Sequence, residues 1–161
     1  TPHFVAEMLK EAGVSNINII PYKSGSEGVT AVISNNVIGT SEASIVVIPQ
    51  VKAGKLKAIG TTYDTRITSY KVIPTTKEQG FPGVKIGHWA GLFAPKGTPK
   101  AILDRMSAEL LAVVKSKEFQ DKMIPQGIEP APYTMPAYVA FLAAERDRLG
   151  KIAKAAKMQA D

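Results

Sequence analysis

Cysteine is absent from the 161 residues, and histidine occurs only as His3 and His88. A chain without thiols forms neither disulfides nor thiolate metal sites, which is compatible with the cytosol or with a bacterial periplasm. The two histidines have no carboxylate beside them at the spacing of a zinc site. We therefore expect no bound metal.

Long hydrophobic runs and basic tracts are also missing. No apolar stretch approaches the roughly 20 residues of a membrane-spanning helix. The net charge of +6 is spread evenly, because residues 1–90 carry 9 Lys/Arg and 6 Asp/Glu while residues 91–161 carry 11 and 8. Basic residues are not interleaved with aromatic ones, which argues against a nucleic-acid partner. No secretory signal is recognised, so we expect that the signal of an exported protein was removed or lies outside this chain.

Motifs of catalysis and nucleotide binding are equally lacking. A Walker loop requires G-x-x-x-x-G-K-[ST], but Lys23 precedes the glycines here, and G-x-G-x-x-G does not occur. The serines lack the G-x-S-x-G elbow of a hydrolase. The sequence therefore predicts a protein that is not an enzyme and that uses no nucleotide or other cofactor.

Short β-rich runs alternate with helix-like segments along the chain. The predicted strands lie in "NINIIPY", "VIGT", "LKAIGTTY" and "VKIGHWAGLFAP". The segment "SEASIVVIPQVKAGK" is ambiguous between a strand and a helix, and it favours a helix kinked or interrupted near Pro49. A helix beginning near Thr98-Pro99 carries an apolar stripe of Ile102, Met106 and Leu110. Alternation of this kind with short connections indicates an α/β fold with a mainly parallel sheet.

Small hydroxyl residues follow two of the predicted strands, in "IIPYK-SGSEG" and "VIGT-SEAS", and Thr1-Pro2 marks a third helix start. Ligands of parallel sheets bind at the carboxyl ends of strands, where helix N-termini offer unpaired N–H groups to carboxylates or phosphates. The sequence therefore predicts an anion-binding edge. The alternative is that Thr1, Ser24, Ser26 and Ser41 only cap their own helices.

Two further residues near these junctions, His3 and Glu42, can also be explained without a metal or ligand contact. His3 lies in a first helical turn, which favours a polar residue near the cleft over a metal ligand. Glu42 also follows a predicted strand, and a carboxylate in a first helical turn is favoured by the helix dipole.

Several stretches follow one another in the order found in a known family. They are "TPHFVAEMLK", "IPYKSGSEGVTAVISNNV", "IPQVKAGKLKAIG", "VIPTTKEQGFPGVKIGHWAGLFAPKGTPKAI" and "GKIAKAAKMQAD". The most specific parts are Pro21-Tyr22-Lys23, Lys52-Ala53-Gly54-Lys55-Leu56, and Trp89-x-Gly91-Leu92-Phe93-Ala94-Pro95 with Gly97-Thr98-Pro99. The chain resembles the tripartite tricarboxylate transporter receptors, or Bug proteins, which are periplasmic solute-binding proteins of bacteria.

The resemblance implies a periplasmic-binding-protein-like fold of type II, with two α/β lobes around a cleft. Residues 1–90 would form the second, ligand-binding lobe, and residues 91–161 the crossover and the C-terminal part that returns to the first lobe. The N-terminal lobe would be missing. The resemblance places three segments at the cleft: Thr1, Pro2 and His3; Tyr22, Lys23, Ser24 and Gly25; and Ser41 with Glu42.

One departure from the family pattern concerns the residues after the second helix. Where the family often has G-x-[VI]-D, this chain has Asn35, Asn36, Val37 and Ile38, so the aspartate is missing.

The function implied by the resemblance is capture of a small carboxylate (a dicarboxylate, amino acid or aromatic acid) in the periplasm for membrane permease subunits. The alternative is a ligand-sensing or interaction module that signals to a membrane partner. Because the first lobe would be missing, we also expect weak binding by this chain. We further expect either self-association through residues 91–161 or dependence on a bound N-terminal piece.

Overall fold

The computed structural model describes residues 2–158, and within them the chain forms six α-helices and one short 3-10 helix. The helices are α1 Pro2–Glu11, α2 Gly25–Ile33, α3 Ser44–Lys52, α4 Lys100–Lys115, α5 Lys117–Met123 and α6 Met135–Ala155. The 3-10 helix Ile124–Gln126 directly continues α5. None of the helices described is both long and apolar enough to span a bilayer.

The helix ends follow the local sequence. Helix α2 ends at Ile33, just before the two asparagines, and Asn35 takes a left-handed φ of 58°. Asparagine tolerates this conformation, which is common just after a helix C-terminus. Helix α3, in contrast, continues through Pro49 instead of breaking there. Its buried Ile48 packs beside Gly127, where a Cβ would lie 3.4 Å from Ile48 Cγ1, and this packing offsets the hydrogen bond lost at the proline.

None of the segments predicted as strands forms a regular strand within residues 2–158, where they pair only at one parallel bridge, between Thr61 and Thr75. The Thr76 N–H donates to Thr61 O at 2.9 Å, and the Ile86 N–H donates to Thr62 O at 3.0 Å. The sheet within the described chain is thus smaller than the sequence pattern predicts. The physical reason is that a strand is stabilised by its neighbours, and a β-rich run that meets no second strand stays an isolated extended segment.

A small hydrophobic core joins α1, the extended segment around Val84 and α6. It contains Val5, Met8, Val84 and Ile86, with Phe4, Leu9, Phe81, Leu149 and Ile152 packed against it. Burial alternates along the extended segment, because Val84 and Ile86 are buried while Lys85 between them is exposed. Arg148 of α6 donates to Lys85 O at 2.8 Å and is itself held by Glu145. Helix α6 is therefore fixed to the first half of the chain.

A hydrogen-bonded clasp joins the loop at residues 66–70 to residues 124–130. Thr68 donates from its N–H and its hydroxyl to the Glu129 carboxylate at 2.7 and 2.9 Å. Tyr70 Oη donates to Pro125 O at 3.2 Å. Two separate parts of residues 91–161, namely this segment and α6, thus contact residues 1–90. The domain boundary between residues 90 and 91 stays a prediction.

An aromatic cluster lies where the crossover segment meets the start of α6. Its members are Trp89, Phe93, Tyr133, Tyr138 and Phe141, with ring centroids 5.5 to 6.3 Å apart in the contacting pairs. Tyr138 Oη is buried without a hydrogen-bond partner in the described structure. It lies so close to Gly91 that a Cβ there would overlap it, at 1.7 Å. Only glycine fits at this point of the crossover.

Helix α4 packs against α5, and none of its residues is buried. The predicted stripe is present on it, but Ile102, Met106 and Leu110 are all exposed.

Candidate functional site

The N-terminus of α2 is built by the serine that precedes it. Ser24 has extended backbone angles, and its Oγ accepts the Glu27 N–H at 3.3 Å. Glu27 in turn accepts the Lys23 N–H at 3.2 Å. This reciprocal arrangement resembles a capping box and fixes the angle at which the chain enters the helix. Ser24 therefore caps its own helix.

Two of the three predicted site segments meet at this helix end. A Cβ built on Gly25 would lie 2.6 Å from Glu42 Oε2, so the Glu42 carboxylate rests against the first residue of α2. A Cβ on Gly28 would lie 3.3 Å from Thr40 Oγ1 and 3.8 Å from both Glu42 Oε1 and Tyr22 Cδ2. The structure thus brings Tyr22 and Gly25 together with Glu42.

Two residues that the sequence analysis did not select also belong to this place. Gly28, which has no side chain, lies one turn after Gly25, and the Thr40 hydroxyl oxygen lies close to it. The spacing Gly25-x-x-Gly28 was visible in "GSEG", since positions three apart share a helix face. The approach of Thr40 was not visible, because it depends on how residues 37–43 return to α2.

The N–H groups of Gly25 and Ser26 are the first two of α2 and have no acceptor within the helix. Such donors, together with the positive end of the helix dipole, suit a carboxylate ligand. The Glu42 carboxylate already lies beside them, although no hydrogen bond joins it to Gly25 in the described structure. Any anion that binds here therefore meets a negative charge from the protein itself.

The other residues of these two segments surround the helix end. Ser41 is half-buried and is not the cap of α3, whose N-cap is Ala43 without a side-chain hydrogen bond. Tyr22 and Lys23 are exposed. On the adjoining side of α2, Tyr22 lines an open groove of about 410 Å³ with Ser26, Glu27, Thr30, Ala31 and Asn36.

The third predicted segment lies on α1. Pro2 is the first residue of that helix, and Thr1 lies outside the described residues. The His3 ring approaches Glu7 to 3.6 Å, and Lys10 Nζ binds the same carboxylate at 2.9 Å. Helix α1 packs against α6, and nothing in the described contacts joins Pro2 or His3 to Gly25 or Glu42.

The displaced pKa values of the described residues have structural causes. The guanidinium of Arg66, hydrogen-bonded to Glu78 at 3.0 Å, lowers the pKa of that carboxyl to about 2, helped by the Thr75 N–H. Burial raises the pKa of Tyr63, and the charges of Tyr133 and Glu129 add to the effect. Both groups lie in the 61–78 region and not at α2. Among residues 2–158, no cluster of three or more acidic or histidine side chains could hold a metal ion.

Comparison with known proteins supports one family throughout. A family profile described as "Tripartite tricarboxylate transporter family receptor" matches residues 1–158. Protein BugT of Bordetella pertussis is 27% identical over 146 residues, which are 91% of this chain and 45% of BugT. The chain thus spans about half the length of the curated relatives that it matches.

Solved structures give the same result for the fold. The structure titled "R. palustris Rpa4515 with adipate" superposes with a TM-score of 0.86 at 27% identity, over 95% of this chain and 51% of that one. Periplasmic binding protein BugD gives 0.77 at 30% identity, over 98% and 52%. MatC of Rhodopseudomonas palustris, solved with bound malate, is 20% identical with a TM-score of 0.73 and supports the fold alone.

These matches confirm the expected fold class, because the structural neighbours are periplasmic binding proteins of which this chain covers about half. The profile match extends from residue 1 to residue 158 and so includes the sequence segments on which the resemblance rested, except the last three residues of "GKIAKAAKMQAD". The chain belongs to the tripartite tricarboxylate transporter receptor family.

Proposed function

We propose that this chain is the ligand-binding part of a periplasmic receptor that captures a small carboxylate for the permease subunits of a tripartite tricarboxylate-type transporter. Its task is binding without catalysis. Membership of the receptor family supports the role, and the relative solved with adipate supports the ligand class.

The observation that carries the proposal is the convergence of Tyr22–Gly25 and Ser41–Glu42 at the N-terminus of α2. The ligand carboxylate accepts hydrogen bonds from the free N–H groups of Gly25 and Ser26, since these donors have no acceptor inside the helix. By the same proposal, the hydroxyl groups of Tyr22 and Ser41 are further donors to the ligand, and Lys23 supplies a positive charge at the rim.

The residues of α1 belong to the proposal through the family resemblance. Thr1, Pro2 and His3 begin the helix that lines the cleft in that arrangement. The Glu7 carboxylate lies 3.6 Å from the His3 ring, one turn further along the same helix.

Glu42 narrows the choice of ligand. The Glu42 carboxylate next to Gly25 repels any ligand group that carries two negative charges. This end of the site therefore favours a single carboxylate, or a carboxylate accompanied by a hydroxyl or ammonium donor. An amino acid, a hydroxy acid or an extended dicarboxylate whose second group lies far from α2 meets this condition.

The test is calorimetric titration of the chain with adipate, malate, an amino acid and an aromatic acid. We expect dissociation constants in the millimolar range, because this chain supplies only part of the hydrogen bonds of a closed cleft. A loss of about 4 kcal/mol turns micromolar binding into millimolar binding.

Two glycine variants locate the site. In Gly25→Ala the new methyl group would lie 2.6 Å from Glu42 Oε2, so the Glu42 side chain must move aside and the methyl group crowds the helix end. Binding should therefore weaken. Gly39→Ala is the matched control, because a Cβ there meets nothing within 4 Å and the residue lies just before Thr40. Equal affinity of the two variants would refute the α2 site, and chemical conversion of a bound acid, followed by NMR, would refute binding without catalysis.

A further inference from the structure

The turn that follows the 3-10 helix touches the first residue of α3. Gly127 in this turn is buried and takes a left-handed φ of 75°, and its N–H donates to Ile124 O at 2.9 Å. A Cβ on Gly127 would lie 2.8 Å from Ser44 Cβ and 3.4 Å from Ile48 Cγ1. Because glycine has no side chain, the turn reaches two residues of α3 that lie one helical turn apart.

Ser44 is joined closely to Glu42 of the candidate site. Ala43, the N-cap of α3, lies between them, and its carbonyl oxygen accepts two backbone N–H groups of the first helical turn at 2.9 and 3.3 Å. These hydrogen bonds fix Ala43 to α3, which also packs against α2. A displacement of Ser44 therefore moves the backbone of Glu42 and changes how the Glu42 carboxylate lies against Gly25.

The turn at Gly127 is anchored by the clasp to the loop at residues 66–70. The hydroxyl groups of Ser69 and Tyr70 donate to backbone carbonyl oxygens of the 3-10 helix just before Gly127, at 2.5 and 3.2 Å. Just after Gly127, the Glu129 carboxylate accepts two hydrogen bonds from Thr68. Since the turn is held on both sides of Gly127, the first turn of α3 is the part that yields when their contact is crowded.

We propose that Gly127 is a positioning residue of the α2 site. Through its contact with Ser44, it sets the distance between the Glu42 carboxylate and Gly25, so a segment of the second half of the chain controls a binding site in the first half. The effect on the ligand rests on the proposed function, whereas the series of contacts belongs to the free protein. A shift of Glu42 by about 1 Å changes its repulsion of a ligand carboxylate enough to alter the affinity about twofold.

Amide NMR spectra of the ligand-free 161-residue chain test the positioning directly. Gly127→Ala crowds Ser44, so the amide resonances of Gly25 and Gly28 should move from their parental positions. Gly54→Ala is the matched control, because its φ of 68° imposes comparable strain just after α3, but a Cβ there meets nothing within 4 Å of the described structure. The same two resonances should stay in place in this control.

Two substitutions of Ser44 separate crowding from backbone strain. Adding Ser44→Gly to Gly127→Ala removes the crowded Cβ and should return the resonances of Gly25 and Gly28 toward their parental positions. Ser44→Val crowds the contact from α3 and leaves the φ of residue 127 unchanged, so it should move both resonances even where Gly127→Ala does not fold. Urea denaturation checks the fold of every variant. Resonances that stay in place in both crowding variants, or that move equally in Gly54→Ala, overturn the proposal.

Titration with adipate measures the effect on the ligand. Gly127→Ala should change the dissociation constant about twofold. In a Glu42→Gln background the same substitution should leave it unchanged, because the uncharged side chain exerts no repulsion. An equal effect in both backgrounds would mean that Gly127 acts on the whole fold, and it overturns the proposal. A chain that binds no adipate but shows the resonance shifts refutes the proposed function and supports the positioning of Glu42 by Gly127.

Discussion

Replacing Glu42 with glutamine tests the electrostatics of the α2 site directly. The Glu42 carboxylate lies against Gly25, with Oε2 2.6 Å from the position of a Cβ on that residue. A ligand carboxylate bound to the N–H of Gly25 would then be about 5 Å from it. Two unit charges at that distance repel by about 1 kcal/mol in water and about 3 kcal/mol at the dielectric constant of 20 typical near a protein surface.

Glu42 is partly exposed, so the lower part of this range applies. Glu42→Gln removes the repulsion, keeps the shape of the side chain and adds an amide donor. We therefore expect adipate to bind about fivefold to tenfold more tightly to the variant.

Calorimetric titrations at low and high salt measure this effect. The gain should shrink as ionic strength rises, because salt screens partly exposed charges. Glu11→Gln, which removes a carboxylate from the exposed end of α1, should leave the affinity unchanged. An unchanged affinity of Glu42→Gln would refute a ligand carboxylate beside Gly25. A weaker affinity would show that Glu42 accepts a hydrogen bond from the ligand.

The remaining predictions concern stability, measured by urea denaturation. Ser24→Ala should destabilise the fold by about 1 kcal/mol, because it removes the cap of α2. Gly91→Ala should destabilise it by at least about 2 kcal/mol, because its Cβ overlaps Tyr138, whereas Tyr138→Phe should be neutral or stabilising, because the buried hydroxyl has no partner. The pKa of Glu78 is lowered from 4.5 to about 2, so its contribution to stability is present above pH 4.5 and is lost as the pH falls toward 2.

Each of these predictions has its own control. Ser26→Ala, inside the first turn of α2, should cost less than Ser24→Ala, because the Ser26 side chain is not the cap. A large loss in Tyr138→Phe would mean that its hydroxyl is bonded after all. For Glu78, the urea midpoint of the parent chain should exceed that of Glu78→Gln at neutral pH, and the difference should vanish near pH 2. A difference that does not change with pH would contradict the depressed pKa.

Local sequence predicted the helices of this protein better than its strands. The end of α2 at Asn35 is determined by residues within one turn, so the sequence alone was sufficient. The extended segments were also recognised, but which of them pair was not, because the bridge between Thr61 and Thr75 depends on a return of the chain. Pro49 was expected to kink or interrupt α3, and the helix is not interrupted there. Ile48 packs beside Gly127, a contact distant in sequence that local preference does not include.

The candidate site, too, was predictable from local sequence only in part. The register of strand and helix predicted that Tyr22–Gly25 and Ser41–Glu42 adjoin helix starts, and the structure brings both to α2. The contact between Glu42 and Gly25 could not be predicted from the sequence, because it depends on the three-dimensional path of residues 34–43. His3 was assigned to the cleft by family resemblance, and its role there stays a prediction.

The core formed by α1, Val84 and α6 has a consequence for biosynthesis. Helix α1 precedes α6 in the chain, so it leaves the ribosome before α6. Until α6 arrives, Met8 and Val84 lack a side of their packing, and their apolar surfaces are open to other nascent or partly folded chains. Contacts between such distant parts of a sequence also form slowly, because a long loop must close first. This protein therefore completes its core only after translation has passed α6, and holding chaperones should matter most in that interval.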